Sequence, residues 1–322
     1  MATIDFKPAI ELIDSAKTVA ICGHINPDGD SIGSTLALSI ALEKVGKKVW
    51  PLVPKKENLE QFEFLPGFAS VQSAKNFDEE VDLFILVDVS VSSRIGDANH
   101  AFHKAGKTLV IDHHEHCDLE ANCKISDPSA AATGLLIWDL AKQLGVENDQ
   151  GIALACLTAV VTDTGRFQYQ NADSQAFNGA AEMVAAGACA SDIALNIYQR
   201  KSRAALELSA LAVQRSELSC GGRAVVSWIT KDDYKQLGAN KQDSEGLIDV
   251  IRQLDGIEIA VMLREQDDAV RASIRSKSER DVAAIANSFG GGGHKAAAGF
   301  TIEDNLDNAK KAVEEALAKE FE

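Results

Sequence analysis

Histidines and aspartates recur directly after apolar runs in this chain of 322 residues. His24, Asp28 and Asp30 stand in Gly23-His24-Ile25-Asn26-Pro27-Asp28-Gly29-Asp30, just after the short apolar run 19–22. Asp88 ends Leu83-Phe84-Ile85-Leu86-Val87, where nothing local requires a charge. Asp112-His113-His114 closes Leu109-Val110-Ile111, and Asp163 follows the apolar stretch 152–161. A lone aspartate after a strand is ordinarily a turn or a helix cap, and Asp30 before Ser31 reads equally well as one. Four such coincidences at four element ends point instead to one shared site. Carboxylates gathered there repel one another unless cations compensate. Hard oxygen ligands mixed with imidazole suit Mn²⁺, Mg²⁺ or a related divalent ion. Two such ions ~3.5–4 Å apart activate a water and stabilise a phosphoryl transition state.

The second feature is Gly290-Gly291-Gly292-Gly293-His294-Lys295. A helix C-terminus needs one glycine for its left-handed cap, whereas consecutive glycines let backbone N–H groups approach an anion. An unstructured loop is the plain alternative. In 270–275, however, alternation places Val270, Ala272 and Ile274 on one face and Arg271, Ser273 and Arg275 on the other. Seven Lys/Arg balance seven Asp/Glu between 252 and 295, so recognition of one or two phosphates fits better than a nucleic-acid groove.

These side chains need a scaffold that brings distant loops together. Strand-like runs at 19–22, 48–53, 81–87 and 108–111 alternate with helical patterns at about 32–45, 131–144, 150–161 and 174–186. That alternation predicts an α/β fold, a doubly wound, mainly parallel sheet whose strand ends share one ligand-binding edge. Residues 1–190 are expected to form this catalytic domain, and 191–218 a helical linker. Residues 219–322 form a smaller α/β domain, with strands at 224–229 and on both sides of Asp267-Asp268, and helices near 245–254, 281–288 and 307–320. Trp50, Trp138 and Trp228 lie in apolar runs and are expected in the core.

Composition narrows the partners. The net charge is −16, from 32 Lys+Arg against 48 Asp+Glu. Gripping long nucleic acid takes a basic surface, so any polyanionic substrate is expected to be short. No apolar run reaches the ~18 residues of a membrane span. The opening Met-Ala-Thr-Ile-Asp-Phe-Lys lacks the layout of a secretion signal. Six cysteines without a CxxC pair read as reduced thiols. The expectation is a cytoplasmic protein with no membrane partner.

In order, His24-x-Asn26-Pro27-Asp28-x-Asp30, Asp88, Asp112-His113-His114 and Thr162-Asp163-Thr164-Gly165-Arg166-Phe167 resemble the four motifs of the DHH phosphoesterase family. Ile274-Arg275-Ser276 and the glycine run ending at His294 resemble its DHH-associated C-terminal domain. The resemblance implies a dimanganese centre in the first domain, with Mg²⁺ as the other candidate metal, and a substrate cleft between the two domains. It implies that His24 and Asp28 hold one ion, that Asp30, His113 and Asp163 hold the other, and that Asp88 bridges them. His114 would face the scissile phosphate with Asp112 supporting the histidine geometry. Arg275, Ser276, Gly291, Gly292, Gly293 and His294 would bind the substrate's phosphates, and Arg94 and Arg166 match arginines common near the cleft.

The layout is similar to a branch of the family that degrades very short oligoribonucleotides to mononucleotides. Many of its members also remove the 3′-phosphate of 3′-phosphoadenosine 5′-phosphate (pAp), and members commonly dimerise. The implied partners are short RNA, dinucleotides such as pApA, and mononucleotides. Glu115-His116 after Asp112-His113-His114, and Leu135 where a glutamate is frequent, depart from the pattern and bear on substrate preference. Cyclic di-AMP phosphodiesterase and family II pyrophosphatase activity remain the enzymatic alternatives. A nucleotide sensor without turnover is the non-enzymatic one.

Overall fold

The structure, a computed structural model, describes residues 4–322 apart from the side chain of His294. Contacts divide the chain into two units, one ending at Arg200 and the next beginning at Lys201.

The first unit runs α1 (Lys7–Ser15), β1 (Thr18–Cys22), α2 (Gly29–Lys44), β2 (Lys48–Val53), β3 (Gln72–Ser73), β4 (Leu83–Val87) and α3 (Asn99–Lys104). It continues with β5 (Lys107–Asp112), β6 (Cys123–Ser126), α4 (Thr133–Gln143), α5 (Gln150–Asp163), α6 (Ser174–Ala185) and α7 (Ala190–Ile193). The sheet order is β3-β2-β1-β4-β5-β6, and every pairing is parallel. All five residues of β4 are buried, as a strand covered on both faces requires. Val19, Ile21, Leu83, Ile85, Leu109 and Ile111 pack on one side with Leu36, Ile137 and Leu157 of the helices. Ala20, Cys22, Phe84, Leu86 and Val110 pack on the other with Phe77 and Phe102. Strand order reverses between β1 and β4, and a doubly wound sheet binds ligands outside its carboxyl ends at such a point.

The second unit runs α8 (Arg203–Gln214), β7 (Glu217–Ser219), β8 (Ala224–Ile229), α9 (Lys231–Leu237), α10 (Leu247–Ile251) and β9 (Ile259–Glu265). It ends with β10 (Val270–Ser276), α11 (Val282–Ser288), β11 (Gly292–His294), β12 (Ala297–Ile302) and α12 (Leu306–Phe321). Its sheet, β11-β12-β10-β9-β8-β7, is antiparallel except between β8 and β9. Val270, Ala272 and Ile274 join Val282, Val313 and Leu317 on one face. Leu208 and Ala212 of α8 pack with Val225, Ile248 and Met262 on the other, so α8 is part of this unit's core.

Two details differ from expectation. Only part of the glycine run is loop, because Gly292–His294 forms an edge strand paired with β12 while Gly290 and Gly291 precede it. A Cβ at Gly291 would lie 2.3 Å from the Gly299 oxygen, and one at Gly293 2.5 Å from that of Ala297, so only glycine permits the approach. Trp138 is buried as expected, but Trp50 and Trp228 are half-buried, with the ammonium groups of Lys48 and Lys310 at 4.3 and 3.3 Å from their ring centroids.

Candidate metal centre

The first unit brings His24, Asp28, Asp30, Asp88, Asp112, His113, His114 and Asp163 together at the carboxyl edge of its sheet. Asp28 is the N-cap of α2, where its Oδ1 accepts from the amides of Asp30 and Ser31 at 3.1 and 3.0 Å. Its Oδ2 points the other way, 3.6 Å from His24 Nε2. Asp30, inside the first turn, accepts from Ser34 Oγ and from the Thr133 and Gly134 amides at the start of α4, at 2.9, 2.7 and 2.9 Å. A helix N-terminus with unpaired amides is a natural anchor for a carboxylate. Asp88 leaves β4 with φ +57, a conformation that aspartate tolerates better than most residues. Asp163 is the last residue of α5.

Two of the histidines are fixed from behind by main chain. His24 Nδ1 lies 2.7 Å from the Ile25 carbonyl, and His113 Nδ1 lies 3.1 Å from that of Ala130. A carbonyl only accepts, so both Nδ1 atoms carry the proton and both Nε2 lone pairs are left for the site. His24 Nε2 is 3.2 Å from Asp88 Oδ2, and His113 Nε2 is 3.7 Å from an oxygen of each of Asp30, Asp88 and Asp163. At 3.7 Å these are not hydrogen bonds. They are close to the ~3–3.4 Å between neighbouring ligands of an ion with bonds of ~2.1 Å. Three donor groups result: His24–Asp28–Asp88, Asp30–His113–Asp163 and Asp88–His113–His114.

The carboxylates are crowded together without a lysine or arginine counter-ion among the described residues. Asp30 is 1% exposed and Asp88 3%. Among the described residues, no lysine or arginine pairs with either of them, or with Asp28 or Asp163. Burial and then the Asp88 charge push the Asp30 carboxyl up to about 7. Burial, followed by the Asp30 charge, raises Asp163 as well. Burial would lower His24, but Asp28 and Asp88 outweigh it and push the imidazole up to about 10. His113 is raised in the same way, chiefly by Asp30 and Asp163 against burial. Burial raises Asp28, yet His24 and the Ser31 amide reverse the effect and hold it well below the usual carboxylate range. The groups thus share protons where divalent ions would replace them, and oxygens mixed with imidazole fit such ions.

His114 is held differently, with Nδ1 2.7 Å from Oδ1 of the fully buried Asp112. Asp112 Oδ2 has no hydrogen-bond partner, so this carboxylate serves His114 alone among the described side chains. Arg94 accepts the Ile25 amide on its carbonyl at 2.8 Å, and its charge helps to depress Asp28. Arg166, at φ +64, lies 4.9 Å over the Tyr198 ring.

The expected phosphate-binding residues lie in the second unit. Arg275 projects from β10, its Nη1 donating to the Ile274 carbonyl at 3.0 Å. Ser276 is buried and donates from Oγ to the Ser278 carbonyl at 3.0 Å. Gly291 precedes β11, which contains Gly292, Gly293 and the backbone of His294, while the His294 side chain lies outside the described residues. Sequence reasoning did not single out Ser31, whose Oγ accepts the His24 amide at 3.1 Å. It also passed over Asn171, whose side chain ties the Asp163 and Ala131 carbonyls together at 3.2 and 3.1 Å.

Comparison with known proteins follows the same division. Residues 18–164 match the family model described as DHH family, N-terminal domain, and residues 221–319 match the DHHA1 domain. The chain is 30% identical to the bifunctional oligoribonuclease and PAP phosphatase NrnA of Thermus thermophilus, covering 94% of this chain and 90% of that one. It is 27% identical to the NrnA of Bacillus subtilis, over 97% and 98% of the two chains. An exopolyphosphatase-related protein from Bacteroides fragilis superposes with a TM-score of 0.94 at 24% identity, over 100% of this chain and 98% of that one. RecJ from Thermus thermophilus with Mn²⁺ superposes at 0.52 and 16% identity, over 98% and 54%. Both likenesses are of fold.

Proposed function

Since the chain belongs to the DHH family and carries its DHHA1 domain, we propose that it is a metal-dependent phosphoesterase that cleaves very short oligoribonucleotides to mononucleotides and removes the 3′-phosphate of pAp. The observation that carries this reading is the sharing of Asp88 and His113 among three donor groups, the pattern of a two-ion centre with a common carboxylate.

In this reading His24 and Asp28 would hold one ion, Asp30, His113 and Asp163 the second, and Asp88 would serve both. Bound there, such ions, Mn²⁺ by preference, would supply an activated water and offset the charge that develops on the transferring phosphoryl group. The chain's own residues prepare that chemistry. The Ile25 and Ala130 carbonyls fix the ligand tautomers, and the α4 amides and Ser34 orient Asp30 before any substrate arrives. The Asp112 carboxylate, 2.7 Å from His114 Nδ1, holds that ring, so His114 would meet the scissile phosphate in a preset orientation. In the second unit the Arg275 guanidinium, Ser276 and the Gly291-Gly292-Gly293-His294 segment would hold the remaining phosphates, although the Gly291 amide itself already donates to the Ala286 carbonyl at 2.9 Å. A substrate with few phosphates suits a chain of net charge −16.

The test is hydrolysis in Mn²⁺ of pyrophosphate, pAp, pApA, a five-nucleotide RNA and cyclic di-AMP, resolved by chromatography. AMP released from pApA and the short RNA, and lost by at least ~10³-fold in Asp88→Ala at unchanged circular dichroism, is the expected result. Turnover of pyrophosphate alone, or near-normal turnover by Asp88→Ala, would overturn the assignment.

A further inference from the structure

Arg264 of β9 and Arg271 of β10 stand directly opposite each other in the antiparallel ladder. Arg275 lies four residues further along the same face of β10, with Ser273 between them. Like charges in opposed positions destabilise a strand pair, and a carboxylate normally relieves them. Among the described residues, none of these three arginines forms an ion pair; their hydrogen bonds go to neutral oxygens. Arg264 donates to Ser273 Oγ at 2.9 Å and, from Nε and Nη2, to the Ser244 carbonyl at 3.2 and 3.0 Å. Arg271 is exposed.

Glu245 is the acid whose charge acts on both Arg264 and Arg271, and burial pushes its carboxyl up, which weakens it as a standing counter-ion. Burial above all, then Arg271 and Arg275, pushes the Arg264 guanidinium down against the pull of Tyr234 and Glu245. Across the ladder, Thr301 and Gly299 of β12 face Arg271 and Ser273, so no bulky side chain crowds the arginine face from that strand. The arrangement is a guanidinium held by neutral oxygens beside an exposed one, with a planar donor fork already oriented and no ion pair to either among the described residues.

We propose that Arg264 and Arg271 together hold a second phosphate of the oligoribonucleotide, separate from the one at Arg275, so that the second unit reads substrate length. This rests on the function proposed above. Four residues of antiparallel strand span ~13 Å. A strand that advances at least ~3.4 Å per nucleotide, the spacing within a stacked duplex strand, crosses that distance in about four nucleotides or fewer. A four-nucleotide chain therefore engages both positions, and pApA engages the second one weakly.

The experiment compares pApA with the tetranucleotide pApApApA in Mn²⁺, using the full chain as wild type, Arg271→Gln and Arg271→Lys at two salt concentrations. In Arg271→Gln, the KM for the tetranucleotide should rise about tenfold more than that for pApA, with kcat within about twofold. The log–log salt slope of the tetranucleotide kcat/KM should flatten by about one. The melting temperature should not fall, because a like-charge contact is relieved. Arg271→Lys should recover part of the loss. Equal KM changes for the two substrates, no change, or a lowered melting temperature that accounts for the defect would overturn the inference alone, provided the wild type cleaves both. A wild type that cleaves neither overturns the proposed function and this inference with it.

Discussion

Asp30, Asp163, His24 and His113 all bind protons more tightly in the folded chain than free side chains do. A group whose pKa is raised by folding stabilises the fold at low pH and loses that contribution as pH rises through the folded value. For Asp30 the loss runs from the ordinary 3.8 to about 7, and for His24 from 6.5 to about 10. Asp28 has the opposite sign, but its effect falls below its ordinary 3.8. Metal-stripped protein should therefore melt at progressively lower temperature from pH 5 to pH 9. Saturating Mn²⁺ should raise the melting temperature most at the alkaline end, since ligands must be deprotonated to bind. Thermal melts with and without chelator at three pH values check this, and a chelated protein that gains stability with pH would refute it. Asp88 was legible in the sequence because it places charge where a buried strand needs none, and the other aspartates and histidines because they follow apolar runs. Their supports were not, because the Ile25 and Ala130 carbonyls and the α4 amides are main chain and carry no residue-type signature. Asp28 also hid a second task, since one oxygen caps α2 while the other faces His24.

At the scale of elements, the site depends on how closely α2 and α5 approach. A Cβ at Gly29 would lie 2.4 Å from the Thr162 side chain, and one at Gly33 2.5 Å from the Ala155 carbonyl. A Cβ at Gly134 would lie 2.4 Å from that of Ala159, so α4 is held against α5 in the same way. These contacts bring Asp28 and Asp30 at the start of α2 to Asp163 at the end of α5. The backbone oxygen facing Gly33 cannot rotate away, so Gly33→Ala must part the helices. It should cost about 1–3 kcal/mol of stability and raise the Mn²⁺ concentration for half-maximal activity several-fold. A denaturant melt and a metal titration measure both, and an unchanged metal requirement would show that helix spacing does not set the site. The long elements were legible from their apolar periodicity, including the ends of α4, α5 and α6 to within a few residues. The two-residue β3 and the three-residue β11 were not, because pairing with a neighbour, which a local pattern does not show, is what makes them strands.

For the whole molecule, a net charge of −16 sets what it can hold. A thirty-nucleotide RNA should be a poor competitor, with an inhibition constant at least tenfold above the KM for the five-nucleotide substrate in 150 mM salt. Inhibition assays decide this, and tight inhibition by the long strand would mean that the acidic surface does not exclude it. No single helix among the described residues is long and apolar enough to cross a membrane. The sequence pattern changes after residue 190, whereas contacts divide the chain after Arg200, and the helical stripe of α8 does not say which core Leu208 and Ala212 will join. Every clustered donor lies between positions 24 and 163, and every arginine and glycine assigned to phosphates lies between 264 and 293. On the proposed assignments, chemistry and recognition occupy two separate stretches of sequence, each with its own hydrophobic interior. A single crossover near the codon for Lys201 would pass on an intact set of ligands with a new reader attached. Such a lineage can change its diet by recombination without relearning how to break the bond.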